Sequence, residues 1–423
     1  MTWTCPFCPL ACDHLELRVG SGAQPLELAA GDCARARRAL ASFSSAPPAP
    51  LAEIDGRAAT VDEAVAAAAR MLAASRQPLF ANLATDVAGA RALYPLACAS
   101  GAICDAAPGE ALMHGLRALQ DRGQFTATLA EVRTRADVIV FVGGLPLALA
   151  SGIRERLGIG DPQVPQRHVV VLGPCEGDEA VLANWAASSG SGVTVESIAL
   201  QGDLFDTVSL LDALVAQRPA MASANLAEPL RALADRLHAA RYAVLVGTPA
   251  LLPAQGALIV ETLHRTVNTL NRTTRAAALW IAGGNGAGTA NQVFAWLSGL
   301  PLRSRAGPRG LEHEPLRYGG LRLIGQGAVD ALLWVSAFDA DAAPPDQGLP
   351  LIVLGHPALA PRVRRAGSVF IAVSTPGIGS AGHVFRTDGT VLVPLRAARP
   401  DALPTVAALA GRMLAGLPAR KAA

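Results

Sequence analysis

Four cysteines stand within the first 33 residues, Cys5, Cys8, Cys12 and Cys33, with the spacing C-x2-C-x3-C-x20-C. Three thiols within eight residues can converge on one centre from a tight loop, and a returning chain can deliver the fourth. Soft thiolates select iron–sulfur clusters or zinc. The x2/x3 pair differs from the paired C-x2-C knuckles of zinc ribbons, so a 4Fe–4S cluster is the first expectation and zinc the alternative, with four buried metal-free cysteines as the bland one. The other three cysteines, Cys98, Cys104 and Cys175, are scattered and read as small buried apolar residues.

Other chemistry-bearing patterns are thin. G-x-S-x-G, Walker A and H-E-x-x-H are all missing from the sequence. Gly283-Gly284-Asn285-Gly286-Ala287-Gly288 could pass for a phosphate loop but lacks a strand fingerprint with a downstream acid, so a turn left from a former cofactor site is expected. His313 lies between Glu312 and Glu314; neighbouring side chains diverge, so these three read as a solvated loop.

The elements that must position the thiols are legible nearby. Leu15-Glu16-Leu17-Arg18-Val19 alternates with period two, turns at Gly20-Ser21-Gly22, and can return along Leu26-Glu27-Leu28 as a hairpin. Cys33 then opens a helix, with Asp32 beside it as a candidate N-cap. Residues 44–50, SSAPPAP, can neither continue a helix nor supply ladder donors, so they form a linker.

Beyond the linker, uniformly apolar runs end at Gly turns: 138–142 before Gly143-Gly144, 243–246 before Gly247, and 351–354 before Gly355, with 331–335 a further run. Continuous hydrophobicity means that both faces are buried, as in parallel sheets flanked by helices. Segments 61–72 and 226–237 have helical periodicity. The alternation predicts doubly wound α/β units, in which ligands lie outside the carboxyl ends of strands.

Composition bounds the function. The chain has 423 residues, 51% hydrophobic and 17% charged, enough for two or three core-bearing domains. Lys and Arg number 36 against 34 Asp and Glu, and aromatics make up 4%. Neither a basic field nor a stacking platform for nucleic acid follows. No long uninterrupted apolar stretch or leader is present, and crowded thiols suit a reducing cytoplasm. A surface short of charge implies partner chains.

Cys5-Pro6-Phe7-Cys8 with Cys12-Asp13 looks like the opening of the B subunit of formylmethanofuran dehydrogenase, itself a relative of molybdopterin formate dehydrogenases. Ala118-Leu119-Gln120-Asp121-Arg122-Gly123 followed by Arg135-Ala136-Asp137-Val138-Ile139-Val140 is similar to that family's central helix and next strand. Leu270-Asn271-Arg272-Thr273-Thr274-Arg275, then Asn291-Gln292-Val293 and Trp296, resembles a second block, and Arg386-Thr387-Asp388-Gly389 a terminal R-x-D-G signature. The resemblance implies a molybdopterin-oxidoreductase-like α/β fold behind a small cysteine-rich β module. It divides the chain into 1–50, a domain of 51–125 plus 306–423, and an inserted domain of 126–305.

In catalytic members a Cys or selenocysteine ligates tungsten or molybdenum within C-H-G-P. The aligned positions here are Ala111 and Leu112, with His114 offset by two and read as a helix-surface or core histidine. The family's R-G-H-x-N reads Ala282-Gly283-Gly284-Asn285-Gly286, losing the arginine, and its G-x-N-P becomes Gly143-Gly144-Leu145-Pro146. An alanine cannot hold a metal, and leucine cannot carry a proton. What the resemblance leaves is a vestigial cofactor surface at Gly143, Gly144, Asn291, Arg386, Asp388 and Gly389, with no tungsten or molybdenum pterin.

That pattern resembles the B subunit of the bacterial formyltransferase/hydrolase complex. There a formyl group passes from tetrahydromethanopterin to a methanofuran-type carrier and leaves as formate. The resemblance implies a non-redox scaffold held by the hydrolase A subunit, the C subunit and the formyltransferase D subunit, without nucleic acid or membrane. Two alternatives stay open: an active dehydrogenase B subunit, and an iron–sulfur electron-transfer subunit.

Overall fold

A strand buried on both faces needs apolar residues at every position, and runs of this kind form the middle of each of the two large sheets. The computed structural model describes residues 1–20, 26–43, 50–106, 109–190, 192–200, 202–219 and 224–418. Most of the 44–50 linker, residues 21–22 of the hairpin turn and the basic end of the C-terminal tail lie outside the described residues. The chain divides into two compact units, Met1–Gly109 with Gly283–Ala423, and Glu110–Ala282.

The first unit carries a nine-stranded sheet. Its centre is parallel, in the spatial order Ile103–Cys104, Pro78–Ala84, Ala331–Ser336, Leu351–Gly355 and Ser368–Ala372. Antiparallel strands close both edges, Ser304–Gly307 with Gly310–His313 on one side and Ala52–Ile54 with Arg57–Ala59 on the other. Leu79, Trp334, Val353 and Phe370 pack on one face with Ile324, Leu359 and Val363. The alternate residues Phe80, Leu333, Ile352 and Ile371 are buried on the other face. Thr60 starts the helix Val61–Ala74 with a reciprocal capping box to Glu63, which satisfies two otherwise orphaned backbone donors.

At the N-terminus the strands Leu15–Val19 and Leu26–Ala30 form the expected antiparallel hairpin, with Thr2–Trp3 added along its edge. This β module groups with the first unit.

The second unit holds a five-stranded, wholly parallel sheet. Its order is Val193–Ile198, Arg167–Leu172, Val138–Val142, Ala243–Gly247, Ala276–Trp280. In chain order that is third, second, first, fourth, fifth, the doubly wound arrangement, with the order reversing between Val138–Val142 and Ala243–Gly247. Val138, Val140 and Val142 join a core with Leu211, Leu233 and Leu263 from three helices. Phe141 points the other way, onto Trp185 at 6.2 Å. Two-sided burial explains why Val138–Val142 and Ala243–Gly247 read as unbroken apolar runs, whereas the partly exposed edge strand Val193–Ile198 does not.

The units meet the chain at different places from the expected 126 and 305. Residues 110–125 belong to the second unit, where His114 lies against Gly256 and Arg122 pairs with Glu261 at 3.2 Å. Residues 283–305 belong to the first, where Phe294 of the helix Ala287–Ser298 meets Tyr94 edge-on at 5.4 Å. Neither crossing carries a Pro- or charge-rich run, so composition marks neither. His313 also differs from its expected solvated loop: it is half-buried in an edge strand opposite Ser304.

Candidate metal and cofactor sites

The cysteine loop is closed by its own backbone. Cys5 N–H donates to Cys12 O at 2.8 Å, and Ala11, at φ +43°, donates to Cys8 O at 3.3 Å. Arg35 Nε reaches across to Phe7 O at 2.6 Å. Cys33 itself caps the helix Ala34–Ala41, its Sγ accepting from Ala36 N–H at 3.4 Å, while Asp32 pairs with exposed Arg37 instead. All four thiols are buried, and none is joined in a disulfide.

Their electrostatics show that they share one neighbourhood. Burial, then the nearby Cys8 charge, pushes the Cys5 thiol well up, and Cys33 adds to this. A hydrogen bond from the Cys12 side chain, acting against burial, lowers Cys8 to about 7. A like-charge penalty of this kind is what a bound cation removes. Yet among the described residues no group of three or more His, Cys, Asp or Glu side chains is disposed to hold a metal ion. The donor chemistry therefore suits a soft metal, while the arrangement does not present a closed single-ion cage.

Aromatic packing ties the loop to the first unit. Trp3 Nε1 donates to Gly377 O at 2.9 Å, and Trp3, Phe7, Phe43 and His356 contact one another in series, ending edge-on at 4.7 Å. Gly377 and His356 each follow a parallel strand, so the loop sits beside the carboxyl ends of the nine-stranded sheet. That edge also receives the glycine loop. Gly286 has φ +82°, and a Cβ there would lie 2.3 Å from Thr85 O and 2.9 Å from the Phe338 ring. Thr85 and Phe338 follow the strands between which the strand order reverses. The glycine loop thus packs directly against the strand ends at that reversal. Asn285 donates to Asp339 at 3.1 Å.

The R-x-D-G segment is the turn of the hairpin Gly382–Phe385 and Leu392–Leu395. Arg386 and Asp388 hold each other, with Nε at 3.0 Å and Nη2 at 2.5 Å from the same carboxylate oxygen. Asp388's side chain is sealed from solvent and Arg386's is 10% exposed. Gly389, at φ +68°, closes the turn. Thr387 N–H donates to Pro9 O of the cysteine loop at 2.8 Å. Asn291 is buried, and its Oδ1 accepts from Leu302 N–H at 3.0 Å. These polar groups are engaged with the chain itself.

In the second unit, Gly143 and Gly144 follow the strand Val138–Val142, beside the order reversal. Gly144, at φ +97°, has Cys175 Sγ and Asp178 Oδ2 where a side chain would go. Asp178 accepts from Leu145 N–H at 3.0 Å and Cys175 N–H at 2.9 Å. Leu204 covers Gly143. Ala111 is buried and Leu112 and His114 follow it on the helix Gly109–Arg122, with His114 also buried; Ala282 is partly exposed after the last strand. Cys104 is buried, but Cys98 is only partly so and Cys175 is exposed, against the expectation of three buried thiols.

Sequence patterns missed several organising charges. Asp86, buried and raised by that burial, caps the helix Val87–Ser100 through Gly89 N–H at 2.9 Å. Arg303 and Asp105 form a sealed ion pair at 3.3 Å. The only hint of Asp86 was an acid preceding a helical period; Asp105 and Arg303 are 198 residues apart and left no sign.

A mixed sheet with a parallel centre, a second sheet that is wholly parallel, and a cysteine-bearing β module define an α/β protein. No family model matches the chain. The B subunit of the formyltransferase/hydrolase complex from Methylorubrum extorquens is 32% identical over 361 residues, 83% of this chain and 92% of that protein. A chain of the crystal structure of the formyltransferase/hydrolase complex from Methylorubrum extorquens, in complex with methylofuran, superposes with TM-score 0.72 at 29% identity. The match covers 86% of this chain and 98% of that one. This chain belongs to the B-subunit family of the formyltransferase/hydrolase complex. Among the described residues no helix is long and apolar enough to cross a membrane.

Proposed function

We propose that the chain is a non-redox scaffold in a complex with hydrolase A, C and formyltransferase D subunits. That complex moves a formyl group from tetrahydromethanopterin through a methanofuran-type carrier to formate. The observation that carries the reading is Ala111. A methyl group occupies the position at which the dehydrogenase relatives implied by the motif resemblance place a metal-binding sulfur or selenium. Loss of the acid/base side chain at Leu112 and of the arginine at Ala282 points the same way. So do Asn291, Arg386 and Asp388, whose polar atoms are engaged within the chain.

Within this reading the four N-terminal thiols are the metal-binding place. A 4Fe–4S cluster is preferred to zinc because the donors are four soft thiols whose x2/x3 spacing differs from the paired knuckles of zinc ribbons. Such a group would supply structural cross-linking of the loop to the helix Ala34–Ala41.

The test is purification of the chain co-expressed with its three candidate partners, followed by elemental analysis and assay. The expected result is co-purification with the hydrolase, iron with acid-labile sulfide, and formyl hydrolysis that needs no electron acceptor. Stoichiometric tungsten or molybdenum with pterin, together with dye-linked oxidation, would overturn the scaffold reading. Failure to co-purify with the hydrolase would overturn the assembly.

A further inference from the structure

The first unit contains a second pair of thiols, far in sequence from the N-terminal set. Cys98, on the helix Val87–Ser100, and Cys104, on the short strand Ile103–Cys104, line the same small cavity. Its remaining walls include Tyr94, Phe294, Ser298 and Arg305. Cys104 lies close enough to feel the Cys98 charge, and Cys98 is hydrogen-bonded to the Tyr94 hydroxyl, which also engages Ser298.

The lining holds no carboxylate and no imidazole. Hard cations, which demand oxygen anions, therefore have no ligands here, and zinc lacks the third and fourth donors of its usual tetrahedron. Two thiols with apolar walls suit a soft ion of low coordination number. Arg305 brings one positive charge to the wall, held by Glu312 at 2.8 Å and by Gln77 at 2.5 Å.

We propose that Cys98 and Cys104 form a two-thiol site for a soft monovalent ion of the copper(I) and silver(I) class. Binding forms two sulfur–metal bonds, releases both thiol protons to solvent and moves no electron. Burial raises both thiols above their ordinary range, so in the metal-free protein they stay protonated and resist alkylation. Metal affinity then falls as pH falls, because each bound ion must displace protons.

Silver(I) alone is the probe, titrated into the full chain and counted by native mass spectrometry. Cys98→Ser and Cys104→Ser should each remove one bound ion, and the double variant should also lose only one, because the two thiols hold the same ion; a loss of two there overturns the site. An unchanged count in folded Cys98→Ser protein overturns the site. Should the substitutions unfold the chain, anomalous scattering from silver-soaked crystals of the unaltered protein decides. A peak in the cavity supports the site, and silver at other thiols with none there refutes it.

Discussion

Thr387 and Pro9 are joined main chain to main chain, the amide of one donating to the carbonyl of the other at 2.8 Å although they stand at opposite ends of the sequence. Through this bond the turn built by Arg386 and Asp388 holds the loop that carries Cys5, Cys8 and Cys12. A sequence signature near the C-terminus is thereby explained as a clamp on the N-terminus.

The clamp can be broken from its ion pair. Both partners are nearly sealed, and removing one member of a buried pair strands the other, at a cost of about 3–5 kcal/mol. Arg386→Leu or Asp388→Leu alone should lower unfolding stability by that order. Arg386→Leu with Asp388→Leu should recover part of the loss, since no charge is then left unpaired. Urea unfolding of the two single variants and the double variant measures the coupling. A double variant no more stable than the single ones would show that the charges act independently.

Arg167 poses a different buried charge. Its side chain donates to the carbonyls of Ala136 at 2.9 Å, Leu157 at 2.8 Å and Arg133 at 2.9 Å, and also contacts that of Gly158. It gathers the ends of the helices Leu129–Arg135 and Ile153–Arg156. Burial lowers its pKa to about 10, still charged at neutral pH. Arg167→Lys keeps the charge but loses the planar fork, and each stranded carbonyl costs on the order of 1 kcal/mol or more. The expected outcome is a loss of roughly 2–4 kcal/mol in chemical denaturation, larger for Arg167→Met. An unaffected Lys variant would refute the fork argument.

The contrast between these charges and the strands shows what was legible beforehand. Val138–Val142, Leu351–Gly355 and the N-terminal hairpin announced themselves because burial on two faces or one prints a period onto neighbouring residues. The cysteine spacing was equally local. Arg167 reads only as one more basic residue, because its partners are carbonyls, which every residue carries. The edge strand holding His313 was missed for a related reason, since pairing along one edge of a sheet asks for no apolar run. The unit boundaries at 109/110 and 282/283 fall inside or next to regular elements and leave no mark in composition.

Acid should destabilise the fold through two histidines. His264 and His356 are buried, and burial lowers each to about 4 from an ordinary 6.5, with Asp339 and Asp341 acting weakly in the opposite sense at His356. A base whose folded pKa is depressed is neutral in the native state, so its cost is absent above about pH 6.5. It grows as pH falls from about 6.5 toward about 4, because the unfolded chain binds the proton first. Near pH 4.5 each contributes a loss of roughly 2–3 kcal/mol. His264→Phe should therefore flatten the fall in urea midpoint between about pH 7 and about pH 4.5 relative to the unaltered chain. Parallel pH profiles would show that His264 titrates normally in the folded state.

Gly286 makes the sharpest test of how the glycine loop fills the strand ends. A methyl group there would meet the Thr85 carbonyl at 2.3 Å and its amide nitrogen at 2.7 Å, both backbone atoms of a strand terminus that cannot swing aside. Gly299 shares the left-handed conformation, at φ +76°, but has nothing within 4 Å. Gly299→Ala therefore carries only the conformational penalty, about 1 kcal/mol. Gly286→Ala adds the displacement of Thr85 and of Asp86 beside it, which caps the helix Val87–Ser100. Its cost should exceed that of Gly299→Ala by about 2 kcal/mol or more. Hydrogen exchange should locate the extra loss at the first turn of that helix. Equal costs at the two positions would mean that the loop lies farther from the strand ends than 2.3 Å implies.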